Sequence, residues 1–212
     1  MSIVAAAPRR RTQAERRAST RGKLLDAVLE ELVAGGYHDL TTPAICARAG
    51  VSQGALFKHF PTKSALLAAA AEHLFAALRR GYAERFEAAG AARDPIRKGV
   101  ELLWNVFQDP RLHAAYDLYT AARTDAELRA SLDPVVREHA ESLHALARAL
   151  FGDLAEADAE RLRDAVDLAI LALQGLALNE MAHHEPTARE RALRVLAAVA
   201  EQLLAGANER SR

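Results

Sequence analysis

Cysteine and aromatic residues are scarce in this chain of 212 residues. The single cysteine, Cys46, allows no disulfide within the chain, which excludes a disulfide-stapled secreted scaffold. Only 5% of the residues are aromatic, whereas half are apolar, with Ala and Leu foremost. Because a sheet protein needs more Val, Ile, Thr and aromatic residues, this composition favours packed helices.

The start of the chain also lacks a long hydrophobic run. Its first apolar stretch, residues 3–7, is too short for the core of a signal peptide or for a membrane span. A single cysteine also suits a reducing compartment, so we predict a soluble cytoplasmic protein with no membrane partner. Since no basic side chain can be placed beside Cys46, we expect it to be a small buried residue rather than a reactive thiol.

The net charge is zero, because 28 Lys and Arg balance 28 Asp and Glu. The basic and acidic residues are, however, unevenly distributed along the chain. Residues 1–63 contain ten basic and five acidic side chains, and the first 25 residues contain seven basic and one acidic. A basic end on an acidic body is expected when one domain faces DNA. A solvated basic tail is the alternative, and both readings hold if a flexible arm orders against phosphates or in a minor groove.

Helix start and stop signals divide the chain into about nine helices. The first follows residue 12, has its apolar stripe between Leu24 and Val33, and ends at Gly35 and Gly36. Thr124 and Glu127 form a capping box, and Pro134 is expected to kink or interrupt the helix that this box begins. The other long helices are predicted over about 63–88, 95–107, 110–123, 159–183 and 187–205.

The most informative stretch is LTTPAICARAGVSQGALFKHFPTKS, residues 40–64. Thr42 is predicted to cap a short helix that has Pro43 in its first turn and stops at Gly50. Ser52 is predicted to cap a second helix after a tight turn. A short, non-acidic helix held at a fixed angle by its neighbour fits the major groove of DNA.

The second short helix, over 53–60, has one side for the protein and one for DNA. Leu56 and Phe60 lie four residues apart and share its inward side. Gly54, Ala55 and Lys58 then face outward. An ordinary helical hairpin is the alternative, and it loses weight as more positions match a known motif.

The matched positions resemble the signature of TetR-type transcriptional repressors, T-T-x-x-I-A-x-x-A-G-V-S-x-G-x-L-Y-x-H-F-x-x-K-x-x-L, over roughly residues 20–70. This chain has Thr41, Thr42, Ile45, Ala49, Gly50, Val51, Ser52, Gly54, Leu56, His59, Phe60, Lys63 and Leu66 at those positions. Two positions depart from it. Cys46 stands where Ala is usual, and Phe57 lacks the hydroxyl of the usual Tyr, which touches a DNA phosphate in the family.

The resemblance implies a set of DNA contacts in this chain. They are Thr42, Pro43, Ser52, Gln53, Gly54, Ala55, Phe57, Lys58, His59 and Lys63. The chemistry agrees with these roles: Gln53 can read an adenine edge through two hydrogen bonds, and Ala55 can touch a thymine methyl. Thr42, Lys58 and Lys63 are expected at phosphates. A packing or capping role is the alternative for His59.

The resemblance also implies the architecture and the activity. We expect an all-α protein with a three-helix helix-turn-helix DNA-binding domain over 13–66 and a larger helical ligand-binding and dimerisation domain over 67–205. A basic arm, 1–12, and a tail, 206–212, are expected to be disordered. The predicted function is that of a homodimeric repressor, without enzymatic activity or cofactor, that binds a palindromic DNA operator and is released by an unknown small-molecule effector.

Two further sets of residues are predicted for the larger domain. Apolar stripes on the last two helices are expected to meet a second copy of the chain, with packing inside one subunit as the alternative; they comprise Val166, Ile170, Leu173, Ala177, Leu193, Leu196, Ala200 and Leu203. Apolar walls with a few polar groups are typical of a small-molecule site, with a plain core as the alternative. The candidates are Trp104, Phe107, His113, Tyr116, Asp117, Thr120, Gln174 and Asn179.

A rival function comes from two Glu-x-x-His pairs, Glu141 with His144 and Glu180 with His183. This is the ligand spacing of di-iron helical bundles, which serve as oxidoreductases or storage proteins. About 0.6 such pairs are expected by chance in a chain with this many Glu and His, so two pairs carry little weight. The run from His183 to Glu185 can bind metal too, but is better explained as a helix end at the surface. We therefore predict no metal site.

Overall fold

The computed structural model describes residues 12–90, 94–152, 156 and 158–205, with the backbone alone over 83–90. These residues form nine long or short helices and no strand, which confirms the all-α class. The helices are α1 (Gln13–Gly35), α2 (Thr42–Ala49), α3 (Gln53–His59), α4 (Lys63–Gly90), α5 (Pro95–Phe107), α6 (Pro110–Ala122), α7 (Ala126–Leu150), α8 (Ala159–Ala182) and α9 (Pro186–Ala205). The predicted tail, 206–212, and all of the predicted arm except Thr12 lie outside the described residues.

Helix α1 begins with a capping box that the sequence analysis missed. The Thr12 hydroxyl accepts from the Glu15 backbone N–H at 3.2 Å, and the Glu15 carboxylate accepts from the Thr12 N–H at 2.7 Å. These bonds satisfy two N–H groups that a helix start leaves free. The predicted stripe from Leu24 onward is buried, except that Val33 at its edge is 48% exposed.

Two predicted helix caps were wrong by one residue. The cap of α2 is Thr41, whose hydroxyl accepts from the Ala44 N–H at 3.3 Å, so Thr42 is the first helical residue. The cap of α7 is Asp125, which accepts from the Leu128 N–H at 2.9 Å. In both places two adjacent residues have side chains that can cap a helix. The residue that does so is the one whose side chain accepts from the backbone N–H three positions later.

Pro134 does not divide α7, contrary to the expected kink or interruption. The helix runs as one element from Ala126 to Leu150, with buried residues both before the proline (Leu128, Leu132) and after it (Leu143, Ala147). Proline removes one backbone hydrogen bond from a helix. Burial of apolar side chains on both sides of Pro134 outweighs that loss and keeps the helix whole.

Helix α4 connects the two ends of the molecule. Its first turns share a core with α1, α2 and α3, built around Leu24, Ile45, Leu56 and Leu66. Further along it packs lengthwise against α7 and also contacts α5 and α6. Helices α8 and α9 pack on each other and on α5. The predicted division between a domain over 13–66 and one over 67–205 stays a prediction, and α4 is the element that would join them.

Helix α8 is long and apolar enough to span a membrane, judged by length and composition alone. Only 22% of its apolar segment is buried within the chain. One such helix is weak evidence for a membrane span, because core helices of soluble proteins pass the same test.

Candidate nucleic-acid interface and effector cavity

Helix α3 is held against the protein by its caps and by two buried side chains. The Ser52 hydroxyl accepts from the Ala55 N–H at 3.2 Å and caps the helix start, as predicted. Leu56 and Phe60 are buried on the inward side. Gly50 makes the turn before α3 with a φ of 66°, in the left-handed region that glycine enters without strain. These local features fix the angle between α2 and α3.

The opposite side of α3 is open. Gln53, Gly54 and Lys58 are exposed, and the ring of Phe57 is 48% exposed. At Gly54 an added Cβ would lie 4.0 Å from the Ser52 hydroxyl oxygen, its nearest neighbour. Ala55 and His59 are half-buried at the edges of this surface. The residues of α3 that were predicted to contact DNA therefore share one accessible face, and Gly54 leaves room for a partner to approach the helix closely.

The charge of this surface is positive. Residues 40–64 include no Asp or Glu. Among the described residues Lys58 has no ion-pair partner, whereas Arg48 is bound by Glu31 at 2.5 Å and by Glu30 at 3.4 Å. Lys58 is thus available to a phosphate, while Arg48 joins α2 to α1.

The start of α2 offers a further polar group. Because Thr41 does the capping, the Thr42 hydroxyl is left without a hydrogen bond to any described residue. Pro43 beside it is exposed. A helix N-terminus with a free hydroxyl is a suitable place for a phosphate oxygen.

Lys63 was predicted to contact a DNA phosphate, but its side chain is directed to the protein itself. Its ammonium donates to the Leu40 carbonyl at 2.6 Å and lies 5.2 Å from the centre of the Tyr37 ring. Burial lowers the pKa of Lys63, partly offset by the carboxylate of Asp125. The side chain therefore ties the start of α4 to the segment between α1 and α2, because that carbonyl has no helical partner of its own.

One residue near α3 escaped the sequence analysis as a possible contact. The Arg21 guanidinium lies over the Phe60 ring, 5.1 Å from its centre, in a cation–π contact. Arg21 is exposed on α1, so its charge stands beside the end of α3. No sequence signal could have revealed this, because the pair is created by the packing of two distant helices.

A cavity of about 330 Å³ lies between α4, α5, α6, α7 and α8. Its volume falls in the range of small-molecule sites. It is lined by Phe75, Tyr82, Leu103, Phe107, Leu112, Tyr116, Tyr119, Val136, His139, Ala140, Leu143, Asp167, Ile170, Leu171 and Gln174. The walls are mostly apolar and aromatic, with a few polar groups among them.

Two polar atoms of this cavity are buried without a hydrogen-bond partner, the Tyr116 hydroxyl and Nδ1 of His139. Burial raises the pKa of Tyr116, and it raises the pKa of Tyr119 to about 12. Burial, together with the charge of Arg79, lowers the pKa of His139 to about 4. The His139 ring stacks on Phe75 with centres 4.0 Å apart. Such unsatisfied atoms are costly unless a ligand or water pairs with them.

Three of the predicted ligand residues line this cavity, namely Phe107, Tyr116 and Gln174. The other five do not. Trp104 is buried in the core, and Nε2 of His113 is 2.9 Å from the Phe107 carbonyl oxygen. Asp117 and Thr120 face the segment after α1, and Asn179 is exposed near the end of α8. Their spacing places them on one side of a helix, but each helix is rotated so that this side does not face the cavity.

Half of the predicted dimer stripe is packed inside one chain, and the other half stays a prediction. Leu173, Ala177, Leu196 and Ala200 are buried within one chain, while Val166, Ile170, Leu193 and Leu203 are half-buried against its core clusters. The large apolar side chains that remain exposed on α8 and α9 are Leu168, Leu171, Leu178, Met181 and Val195. Apolar periodicity marks the face that packs first, which here is the face inside the subunit.

The comparisons with known proteins agree with this arrangement. The sequence profile described as "Bacterial regulatory proteins, tetR family" matches residues 24–78. An uncharacterized HTH-type transcriptional regulator of Mycobacterium tuberculosis is 32% identical over 142 residues, which cover 67% of this chain and 73% of the relative. The chain belongs to the TetR family of transcriptional regulators. It is a DNA-binding helix-turn-helix protein, and its relatives and fold are those of regulators, not enzymes.

Other relatives extend the likeness along the chain. The HTH-type transcriptional regulator CymR of Pseudomonas putida is 35% identical over 62% of this chain and 65% of its own. A crystal structure of a putative transcriptional regulator from Pseudomonas aeruginosa has a TM-score of 0.69 and 24% identity, covering 95% of this chain and 97% of that one, and it shows the shared fold. The multidrug binding protein EbrR, complexed with imidazole, has a TM-score of 0.63 and 25% identity over 83% of this chain and 92% of its own.

The rival di-iron function is set aside by this family membership. The described residues contain no group of three or more His, Cys, Asp or Glu placed to hold a metal ion. His144 is bonded to Asp167, and Glu180 is paired with Arg189 and His184. Cys46 is buried, as predicted, and burial raises the pKa of its thiol.

Proposed function

We propose that this TetR-family regulator is a cytoplasmic homodimeric repressor that binds a palindromic operator and is released from it by a small-molecule effector. The observation that carries the proposal is the continuity of α4. This helix follows α3 after only three intervening residues and contributes both Phe75 and Tyr82 to the cavity wall. A ligand that favours a different position of α4 therefore changes the position of α3, provided that its affinity differs between the two states.

The exposed apolar side chains of α8 and α9 support the dimer. Leu171, Leu178 and Met181 are 68%, 43% and 55% exposed on one helix, with Val195 on the next. Gly175 between them has open space around its Cα, so a second helix can approach closely. Contiguous exposed apolar residues of this kind mark an interface. A two-fold dimer also presents two reading helices, which match half-sites roughly 34–36 Å apart.

The DNA contacts proposed for each subunit follow the open face of α3. Gln53 reads a base edge, Gly54 and Ala55 allow close approach, and Phe57 packs against the DNA surface. Lys58 and the Thr42 hydroxyl bind phosphates. Ser52, Pro43 and His59 frame this surface. The effector cavity is supported by its size, by its unsatisfied polar atoms and by the ligand complexes of the related EbrR.

Selection of binding sites from a random DNA pool tests the proposal. We expect a consensus with two-fold symmetry and two chains per site, measured by sequencing the selected DNA and by sedimentation of the complex. The DNA upstream of the protein's own gene should contain a related site that the protein protects in a footprint. A consensus without symmetry, or one chain per site, would count against the homodimeric repressor.

The two lysines near α3 should respond differently to substitution. Lys58→Met should leave the melting temperature unchanged and lower the slope of log affinity against log salt by about 1 per subunit, because one phosphate contact is lost. Lys63→Met should lower the free energy of unfolding by about 1–2 kcal/mol, because the Leu40 carbonyl loses its donor. Filter binding over a salt series and urea unfolding measure the two effects. A reduced salt slope for Lys63→Met would restore its role at a phosphate.

A further inference from the structure

The cavity among α4 to α8 combines aromatic walls with a single negative charge. Phe75, Phe107, Tyr116 and Tyr119 supply rings, and Asp167 is the acidic residue of the wall. Among the described residues, no Lys or Arg lines the cavity. An anionic ligand would therefore meet the carboxylate of Asp167 with no basic residue in the wall to offset the repulsion, although the 48% exposure of that side chain weakens it and Arg79 acts on the wall from beside His139.

Asp167 has one hydrogen-bonded oxygen and one without a partner among the described residues. Its Oδ1 is 2.6 Å from Nε2 of His144. His144 is buried, and its Nδ1 also lacks a partner. The His144 ring therefore engages one carboxylate oxygen of Asp167 through Nε2, and the second carboxylate oxygen is left for another donor.

The other unpaired atoms of the wall can accept hydrogen bonds. The Tyr116 hydroxyl oxygen accepts, and so does Nδ1 of His139 when its proton is on Nε2. Because the pKa of His139 is lowered to about 4, its ring is uncharged at neutral pH and does not repel a cation. Asp167 is therefore the acceptor that an ammonium group in the cavity would meet first, because the Tyr116 hydroxyl and Nδ1 of His139 have almost no accessible surface.

We propose that the cavity binds an arylalkyl amine in its cationic form, with the ammonium group directed to Asp167 and the flat aromatic part among the rings. Ring faces attract cations and also cover an aromatic body. The proposal deepens the effector site described above and rests on the proposed function only for its regulatory consequence. Binding of the cation itself is independent of DNA.

Three probes of nearly equal size but different charge test the ligand class, namely naphthylmethylammonium, naphthylmethanol and naphthoate. Titration calorimetry on the full chain at neutral pH should show the ammonium binding about tenfold or more tightly than the alcohol, and naphthoate binding most weakly. Equal affinities, a preference for the alcohol or naphthoate, or no binding of any of the three would overturn the proposal.

Substitution of the acid identifies the recognising group. Asp167→Asn keeps a hydrogen-bond acceptor for His144 and removes the charge, so the preference for the ammonium should fall to about threefold or less. Asp164→Asn is the matched control, because Asp164 is exposed one turn earlier on α8 and does not line the cavity, and it should keep the preference. Asp167→Glu keeps the charge and should keep the preference too, whether or not Asp167→Asn folds. Loss in all three variants, or in none, would contradict the assignment.

Release of operator DNA by the same probes separates this inference from the proposed function. Binding of naphthylmethylammonium that also releases the operator supports both. Tight, Asp167-dependent binding without release supports the ligand class and contradicts the effector role of the cavity. Release by naphthoate with no Asp167-dependent binding of the ammonium supports an effector site and overturns the cationic ligand.

Discussion

Leu178→Glu is expected to break the dimer and, with it, operator binding. Leu178 is an exposed apolar residue of α8, one turn from Gly175, on the face proposed to meet the partner. Two-fold symmetry places the substitution twice in one interface. Losing two buried leucines and adding two carboxylates costs about 3 kcal/mol or more, which weakens the dimer at least about 100-fold. Sedimentation equilibrium measures the dimer, and filter binding measures affinity for the selected operator.

A matched control separates this effect from simple charge addition. Ala130→Glu adds the same charge at an exposed position of α7 and should leave the dimer and the operator affinity unchanged. The melting temperature of the Leu178→Glu monomer reports whether the subunit still folds. If Leu178→Glu remains dimeric with full operator affinity, the exposed face of α8 is not the interface, and the dimer proposal must move to another surface.

Gly54→Glu is expected to lower operator affinity at least about 100-fold without destabilising the fold. The position has ordinary helical backbone, and an added Cβ meets only the Ser52 hydroxyl oxygen at 4.0 Å. A carboxylate in the first turn of α3 even suits the helix dipole. Against DNA, however, it blocks close approach and places a negative charge beside phosphates, and like charges brought together cost several kcal/mol. Filter binding and thermal unfolding measure the two quantities.

Gly152→Glu is the control for this substitution. Gly152 is an exposed glycine after α7, also with open space around it, and its replacement should change neither operator affinity nor stability. An operator affinity within threefold of the parent protein for Gly54→Glu would mean that α3 does not enter the groove. A large loss of stability would instead mean that Gly54 has a structural role that its surroundings do not reveal.

The DNA-binding half could be predicted well from the sequence because its signals are local. Ser52 caps α3, Gly50 turns the chain, and Leu56 and Phe60 mark the buried side, all within about ten residues of one another. One of the errors was also local. Thr41 and Thr42 can both cap, and only the position of the first free N–H decides between them. The inward turn of Lys63 escaped prediction because its partner, the Leu40 carbonyl, is 23 residues away.

The cavity could be predicted only in part because no local rule sets which side of each helix faces it. Its wall draws on five helices, from Phe75 on α4 to Gln174 on α8. Tyr119, His139 and Asp167 belong to the wall but had no signal in the sequence. Phe75 and Tyr82 lie seven residues apart, on one side of α4, and that spacing could have drawn attention to them.

By itself, the sequence determined the helices, their order and the reading surface, since capping, turn formation and short-range apolar periodicity act between neighbours in the chain. The tertiary structure alone decided which face of α8 is left exposed, where the acid of the cavity stands, and which lysine near α3 is free. These depend on the rotation of each helix against partners far away in the chain. An apolar stripe indicates that a helix packs but not which helix it packs against, so that choice is made only when the nine helices of the described residues come together.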